Sequence, residues 1–363
     1  MDTRNETGVN HRRGLDILIG GQYGSEGKGV IASFLANEYN AHIRVGGPNA
    51  GHSFIYKGFL YKMQSIPCGW VNPAAKLMIG AGGLIDVENL ISEIETIKAH
   101  AGQDVGNRLY IDKHCGILSS NFKEAEGGTQ GEIHQRIGST GEGVGAARKA
   151  RMDRQIGGFK FAKDIPELQP YLTQNVSEMV NAMIDNGETV LIEGTQGAEL
   201  SLIHCNQYPY CTSADTNAGQ MIADVGLSPA VVRDVILVVR TYPIRVAGNS
   251  GPMFHETTWA DLSRKIGKVV LEKTTVTKKV RRVGEWDDDL YLKAIRINRP
   301  TYIALNFIDY ISPEDVGKIK FEELSFESKN FISRVEATGE IPVSLIGTGG
   351  DTFNVIDRRD LEH

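Results

Sequence analysis

Residues 20–29 read GGQYGSEGKG, between the apolar run LDILI (15–19) and the segment GVIASFLANEY (29–39). A strand-length apolar run, a glycine-rich turn and an apolar-periodic stretch give the order strand, loop, helix. Lys28 at the helix start suits phosphate, because its ammonium, the backbone N–H groups and the helix dipole all favour an anion there. A solvated first-turn lysine is the competing reading. The Walker A pattern is not met. That motif needs a glycine five positions before its Gly-Lys pair and Ser or Thr after the lysine. Here Gln22 and Gly29 hold those places. Two questions follow: what this loop holds, and why Ser25 sits in its middle.

Working outward, the same arrangement recurs. AHIRV (41–45) leads to GGPNAGHS (46–53), and KLMIGAGGLID (76–86) ends on Asp86, an N-cap for the helix VENLISEIETIKAH. RLYID, TVLIEG, VILVV and TYIALNFID are further strand-length runs, with amphipathic stretches such as IPELQPYLTQNVSEMVNAMIDNG (165–187) between them. This alternation predicts an α/β fold with a central, mostly parallel sheet. In such sheets ligands bind beyond the carboxyl ends of the strands, where these glycine turns lie. No repeat or linker is evident. The reading is one large domain over 14–363 with inserted loops and helices, after a polar leader, MDTRNETGVNHRR (1–13).

The chain has 363 residues, 41 of them glycine, and a net charge of −6. That balance argues against a general nucleic-acid coat but permits a local basic pocket. The leader has no apolar segment of the signal-peptide kind, and no apolar run approaches the ~20 residues of a membrane span. A cytoplasmic protein is expected. The four cysteines form no CxxC pair. Cys205 and Cys211, near His204, could be read as metal ligands, but free thiols in a reducing compartment are the simpler reading.

Several other turns carry groups of chemical interest. Asn49, Gly51 and His52 share one turn, and His52 could donate to a transferring phosphoryl group or act as an acid. Ser139 and Thr140 in IGSTGEGVG (137–145) could form an anion nest. Gln196 in EGTQGAEL (193–200) could read the edge of a base. Thr212 and Ser213 supply hydroxyls, and KTTVTKKVRRVG (273–284) sets five positive charges in a short segment suited to carboxylate or phosphate. Each of these alone has a plain surface-loop reading. Together they are the equipment of a nucleotide-dependent phosphoryl-transfer enzyme.

The order of these motifs resembles the adenylosuccinate synthetase family over roughly residues 15–352. The family pattern GxQWGDEGKGK, GGxNAGH, GTTGxGxGP, EGxQGxxLD, YPYVTSS, TTGRxRR, TKxD and STGP is matched here in sequence by GGQYGSEGKG, GGPNAGHS, GSTGEGVGAA, EGTQGAELS, YPYCTSAD, TVTKKVRRVG, NFID and GTGGD. The resemblance implies a C–N bond-forming ligase and a homodimer. A triphosphate phosphorylates O6 of a 6-oxopurine nucleotide with Mg²⁺, and the amine of L-aspartate then displaces phosphate from C6. It also implies roles. Gly24, Glu26, Gly27, Lys28, Gly29, Gly51, His52 and Ser53, with Asn306, Asp309, Gly347, Thr348 and Gly349, would hold the triphosphate. Asn49, Ser139, Thr140, Gln196 and Thr212 would hold the purine nucleotide, and Arg154 would reach the partner subunit's site. Thr277, Lys279 and Arg281 would bind aspartate. Ser25 and Gly51 would face the metal, and Ser25, Lys28, His52 and Gln196 would carry the chemistry.

Three departures stand out. Ser25 replaces the family aspartate, the general base for N1 of the purine and a metal ligand. Serine is smaller and uncharged, makes room beside N1, and could accept a hydrogen bond from a 2-amino group. This resembles the phage 2-aminoadenylosuccinate synthetase branch, which acts on dGMP in the synthesis of 2-aminoadenine DNA. Either Ser25 through a water or Gln196 would then serve N1. Phe307 replaces the lysine that reads guanine in GTP, so ATP or dATP becomes the expected donor, with GTP still open. Lys279 replaces an arginine, keeping the charge but losing the bidentate fork. The rival expectations are an ordinary synthetase using IMP and GTP, an inactive nucleotide-binding protein, and a generic P-loop kinase.

Overall fold

The computed structural model describes residues 14–274 and 279–361. The leader 1–13 and Thr277 lie outside the described residues. Ten strands form one sheet in the order Val355–Asp357, Val343–Gly347, Tyr302–Asn306, Val232–Arg240, Gly14–Gly20, Thr189–Glu193, Ala41–Arg44, Lys76–Ile79, Leu109–Asp112, Leu172–Thr173. All neighbours pair in parallel except the edge strand Val355–Asp357, which is antiparallel to Val343–Gly347. The expected mostly parallel α/β architecture is therefore what the chain adopts.

A parallel sheet covered on both faces needs strands that are apolar throughout. Strand Gly14–Gly20 is buried at every position. Successive side chains feed opposite layers: Leu18 packs with the helices Lys28–Phe34 and Val87–Ala101, whereas Ile17 and Ile19 pack with Val176–Asp185, Ala218–Val225, Asp288–Asn298 and Phe326–Gly339. Asp86 caps its helix as expected, accepting from Asn89 N at 3.3 Å. The stretch 165–187 is only half helical. Pro166 and Pro170 hold its first part in short 3-10 turns, an edge strand follows, and the helix proper runs Val176–Asp185 under an Asn175 cap.

A smaller antiparallel sheet of Ile244–Arg245, Arg282–Gly284 and Glu256–Thr257 has its own apolar cluster around Tyr242, Trp259 and Val283. It delivers residues 279–281 to the rim of the main sheet. Helices Ser120–Glu126, Glu132–Ile137 and Val144–Asp153 form an insertion beside it. Among the described residues, no helix is long and apolar enough to cross a membrane.

Candidate active site

A cavity of about 360 Å³ opens over the carboxyl ends of the central strands. Twelve of the residues given a site role by the family resemblance line it: Gly24, Ser25, Lys28, Asn49, Gly51, His52, Ser139, Thr140, Gln196, Thr212, Lys279 and Arg281. They come from six separate segments, so the tertiary fold gathers what the sequence scatters.

The 20–29 loop is an interlocked unit. The Glu26 carboxylate is wholly buried and accepts from Gln22 N at 3.1 Å, Gly24 N at 2.8 Å and Lys28 Nζ at 2.6 Å. Lys28 Nζ also donates to the Gln196 carbonyl at 2.6 Å. Glu26 thus shapes the loop and aims Lys28; it does not line the cavity. Gly27 sits at φ 89°, and a Cβ there would lie 2.6 Å from Asn306 Nδ2. Asn306 donates that nitrogen to the Glu26 carbonyl at 2.8 Å. The absence of a Walker hydroxyl after Lys28 has a steric reason: a Cβ on Gly29 would stand 3.1 Å from His52 Cβ and Ser53 N. The helix start packs directly on the strand that carries His52.

His52 belongs to a buried charge cluster. Its Nδ1 lies 2.5 Å from Glu193 Oε1 and 2.7 Å from Arg44 Nη1, and Arg44 is itself paired with Glu193. Glu193 Oε2 accepts from Cys68 N at 2.6 Å. Burial and the Arg44 cation together lower His52 to about 3, against the opposing pull of Glu193, so the free imidazole is neutral. Burial would raise Glu193, but Arg44 and His52 outweigh it and hold the carboxyl at about 2. The ligand atoms of His52, Cys68 and Glu193 lie within 4.8 Å of one another. Arg44 already supplies a cation to this cluster, which makes it an ion pair and a histidine support. All four cysteines are free thiols.

The opposite wall is made of loops. Glu126 accepts from Gly143 N at 2.8 Å and Ala146 N at 3.0 Å, holding the start of the helix behind Thr140. His134 bonds the Ser139 carbonyl through Nδ1 and meets Lys279 Nζ at 3.1 Å through Nε2. It ties the nucleotide turn to the basic segment. Arg245 lines the cavity, stacks on Tyr23 at 4.3 Å and donates to the Tyr210 carbonyl at 2.9 Å.

Other expected site residues stand elsewhere. Asn306, Thr348 and Ser53 do not line this cavity, and Thr348 Oγ1 donates to the carbonyls of Lys318 and Asn354 at 2.9 and 3.1 Å. Gly347 ends strand Val343–Gly347 and Gly349 lies in the bend after it. Asp309 is buried with Oδ1 unpaired, and burial raises its carboxyl to about 6 against Lys268 and Arg240. Arg154 is exposed in a left-handed turn closing its helix.

The reading from sequence passed over Arg44, Glu193, Arg240, Glu126 and His134. A signal for three of them was present: AHIR, TVLIE and VILVVR each end an apolar strand on a charged residue, at the sheet edge where ligands sit. Glu126 and His134 depend on how the insertion folds, and carry no local signal.

A lysine-bearing glycine loop, a carboxylate-held histidine and a basic rim around one cavity define an α/β nucleotide-binding enzyme. The chain belongs to the adenylosuccinate synthetase family: the family model for adenylosuccinate synthetase matches residues 17–165 and 159–320. An adenylosuccinate synthetase of Methanococcus vannielii is 41% identical over 347 residues, covering 95% of this chain and 98% of that protein. The fold is that of the fully ligated adenylosuccinate synthetase of Plasmodium falciparum, with TM-score 0.82 and 23% identity over 96% of this chain and 100% of the other. It is also similar to the succinoaminodeoxyadenylate synthetase of cyanophage S-2L, solved with dGMP and dATP as an energy donor, with TM-score 0.80 and 28% identity over 96% and 97% of the two chains. The chain is therefore a C–N ligase of the adenylosuccinate synthetase type.

Proposed function

We propose that this ligase joins L-aspartate to C6 of dGMP, driven by ATP or dATP, to give N6-succino-2-amino-2′-deoxyadenylate. The observation that carries this reading is Ser25. It lines the cavity beside Lys28, His52 and Gln196, in a loop whose other parts are intact and interlocked. A decayed site would not keep both the Glu26–Lys28 pair and the Arg44–His52–Glu193 cluster bonded. The likeness to a phage enzyme solved with dGMP and dATP agrees with it.

A second reading, an ordinary synthetase using IMP and GTP, is favoured by the archaeal relative at 41% identity. By overall sequence likeness it has the stronger support; the serine at the cavity is what sets it second.

The chemistry follows from the geometry. Lys28 neutralises phosphate charge at the helix start. His52, held through Nδ1 by Glu193, keeps Nε2 for a phosphoryl oxygen. Nearby phosphates favour its protonated form and raise it from about 3, so the proton arrives with the ligand. Lys279 and Arg281 place the aspartate carboxylates at the rim. The donor set fits a magnesium ion carried on nucleotide phosphates, since Ser25 and Gly51 offer only neutral oxygens and Glu26 is already occupied. When bound, the ion neutralises charge on the transferring phosphoryl group. As in the family at large, a homodimer is proposed, with Arg154 at the partner's site.

The test is phosphate release with aspartate, Mg²⁺ and ATP, comparing dGMP with IMP. Turnover with dGMP and little with IMP is expected, and Ser25→Asp should depress dGMP use. Turnover with IMP alone overturns the reading in favour of the second.

A further inference from the structure

Arg240 is fully buried at the end of strand Val232–Arg240 and lines no part of the cavity, yet it touches three segments that do the work. Its Nη1 donates to the Ser25 carbonyl at 2.9 Å. Its guanidinium pairs with both oxygens of Glu272, at 3.2 Å from Nη1 and at a shorter contact from Nη2. Glu272 in turn accepts from Tyr310 Oη at 3.1 Å, and its carbonyl accepts from Arg281 N at 2.9 Å. The guanidinium carbon lies 3.8 Å from the centre of the Phe307 ring. The Gln22 amide clamps the Arg240 backbone in both directions at 3.0 Å. The Ser25 loop is thus anchored to one arginine at residue 22 and again at residue 25.

Ser25 needs that anchor. It sits at φ 59°, in the left-handed region that a serine rarely adopts. The bond from Arg240 holds its carbonyl in that conformation and so sets where the side chain stands in the cavity. Arg240 needs Phe307 in the same way. A buried guanidinium is well served by an aromatic face, whereas the lysine of the family pattern would set a second cation beside it. Phe307 itself is at φ 62°, with its carbonyl held by Thr241 Oγ1 at 2.7 Å, next in the chain to Arg240.

We infer that Arg240 is a positioning residue that couples the Phe307 turn to the Ser25 loop, so that Phe307 governs affinity for the purine monophosphate as well as for the triphosphate. The inference rests on the ligase reading above but not on which monophosphate is used. Two of the departures from the family pattern, at residues 25 and 307, then belong to one mechanical unit.

The test measures calorimetric Kd for dGMP and for IMP on the whole protein without triphosphate, alongside KM for ATP. Phe307→Leu should weaken whichever monophosphate binds by about 5–10-fold, and Phe307→Tyr should restore it to within about twofold. Arg240→Lys should produce a similar loss, and the double variant should add little to either alone. A Kd unchanged by Phe307→Leu, with only the KM for ATP shifted, overturns the coupling, as does full additivity. Should the leucine variant not fold, Phe307→Met carries the same comparison. A preference for IMP in the unaltered protein would overturn the dGMP reading and leave this test intact.

Discussion

The two walls of the cavity are built differently. The wall at the strand ends, with Lys28, His52, Glu193 and Arg44, is buried and bonded several times over, and it grows directly out of the parallel sheet. The wall of residues 133–140 and 279–281 stands on short helices and loops and is joined by single contacts such as His134 to Lys279. On the proposed reading the rigid strand-end wall handles the charge of the transferring phosphoryl group, and the adaptable loop wall carries Ser139 and Thr140 for the monophosphate with Lys279 and Arg281 for aspartate. The contrast is general: groups that must hit a developing charge need preorganisation, whereas a second substrate can be admitted by a rim that moves.

The sharpest way to break the comparison is at Glu193. Glu193→Gln should leave Arg44 unpaired and His52 unoriented, lowering kcat by about 10²–10³-fold with little change in KM for aspartate, measured by steady-state phosphate release. Next is Glu26→Gln, which strips the buried Lys28 of its counter-ion. It should cost about 3 kcal/mol in chemical denaturation and raise KM for the triphosphate.

Asp309, in the turn after strand Tyr302–Asn306 and outside both walls, is tested by pH. Its folded carboxyl lies above the ordinary 3.8, at about 6. The folded state therefore holds a proton that the unfolded state releases between these values, and stability falls as pH rises through that window. Asp309→Asn should remove this slope, gaining about 2–3 kcal/mol at pH 8 and almost nothing at pH 3. The smallest effect is expected on the adaptable wall. His134→Ala should raise KM for aspartate by a few-fold while costing less than about 1 kcal/mol of stability, since of the two bonds it removes one is partly buried and the other exposed. If His134→Ala lowered kcat as much as Glu193→Gln, the division between the walls would fall.

Much of the rigid wall was legible in the chain. Glycine turns after apolar strands mark the ends of a parallel sheet, and Lys28, Asn49, His52 and Gln196 all stand in such turns or on the first residue after one. Glu26 was legible as a loop member but not as the carboxylate that organises it, because a bond from residue 26 to the N–H groups of residues 22 and 24 depends on a fold with no repeating pattern. Asn306 and Thr348 were legible as strand-end polar residues, but not their bonds to the Glu26 and Lys318 carbonyls, which the packing of neighbouring turns sets.

By itself the sequence determined the class of fold, the turns that line the cavity and the departure at Ser25, because strand period, glycine turns and residue identity are local properties. Only the tertiary structure decided that Arg44, His52 and Glu193, from three strands, share one buried charge cluster. It alone decided that Arg240 joins Ser25 to Phe307, 282 positions apart in the chain. Arg44 and Glu193 end strands adjacent in the main sheet but remote in sequence, as Arg240 and Phe307 lie at the ends of another such pair, and no local preference encodes which strands will be neighbours.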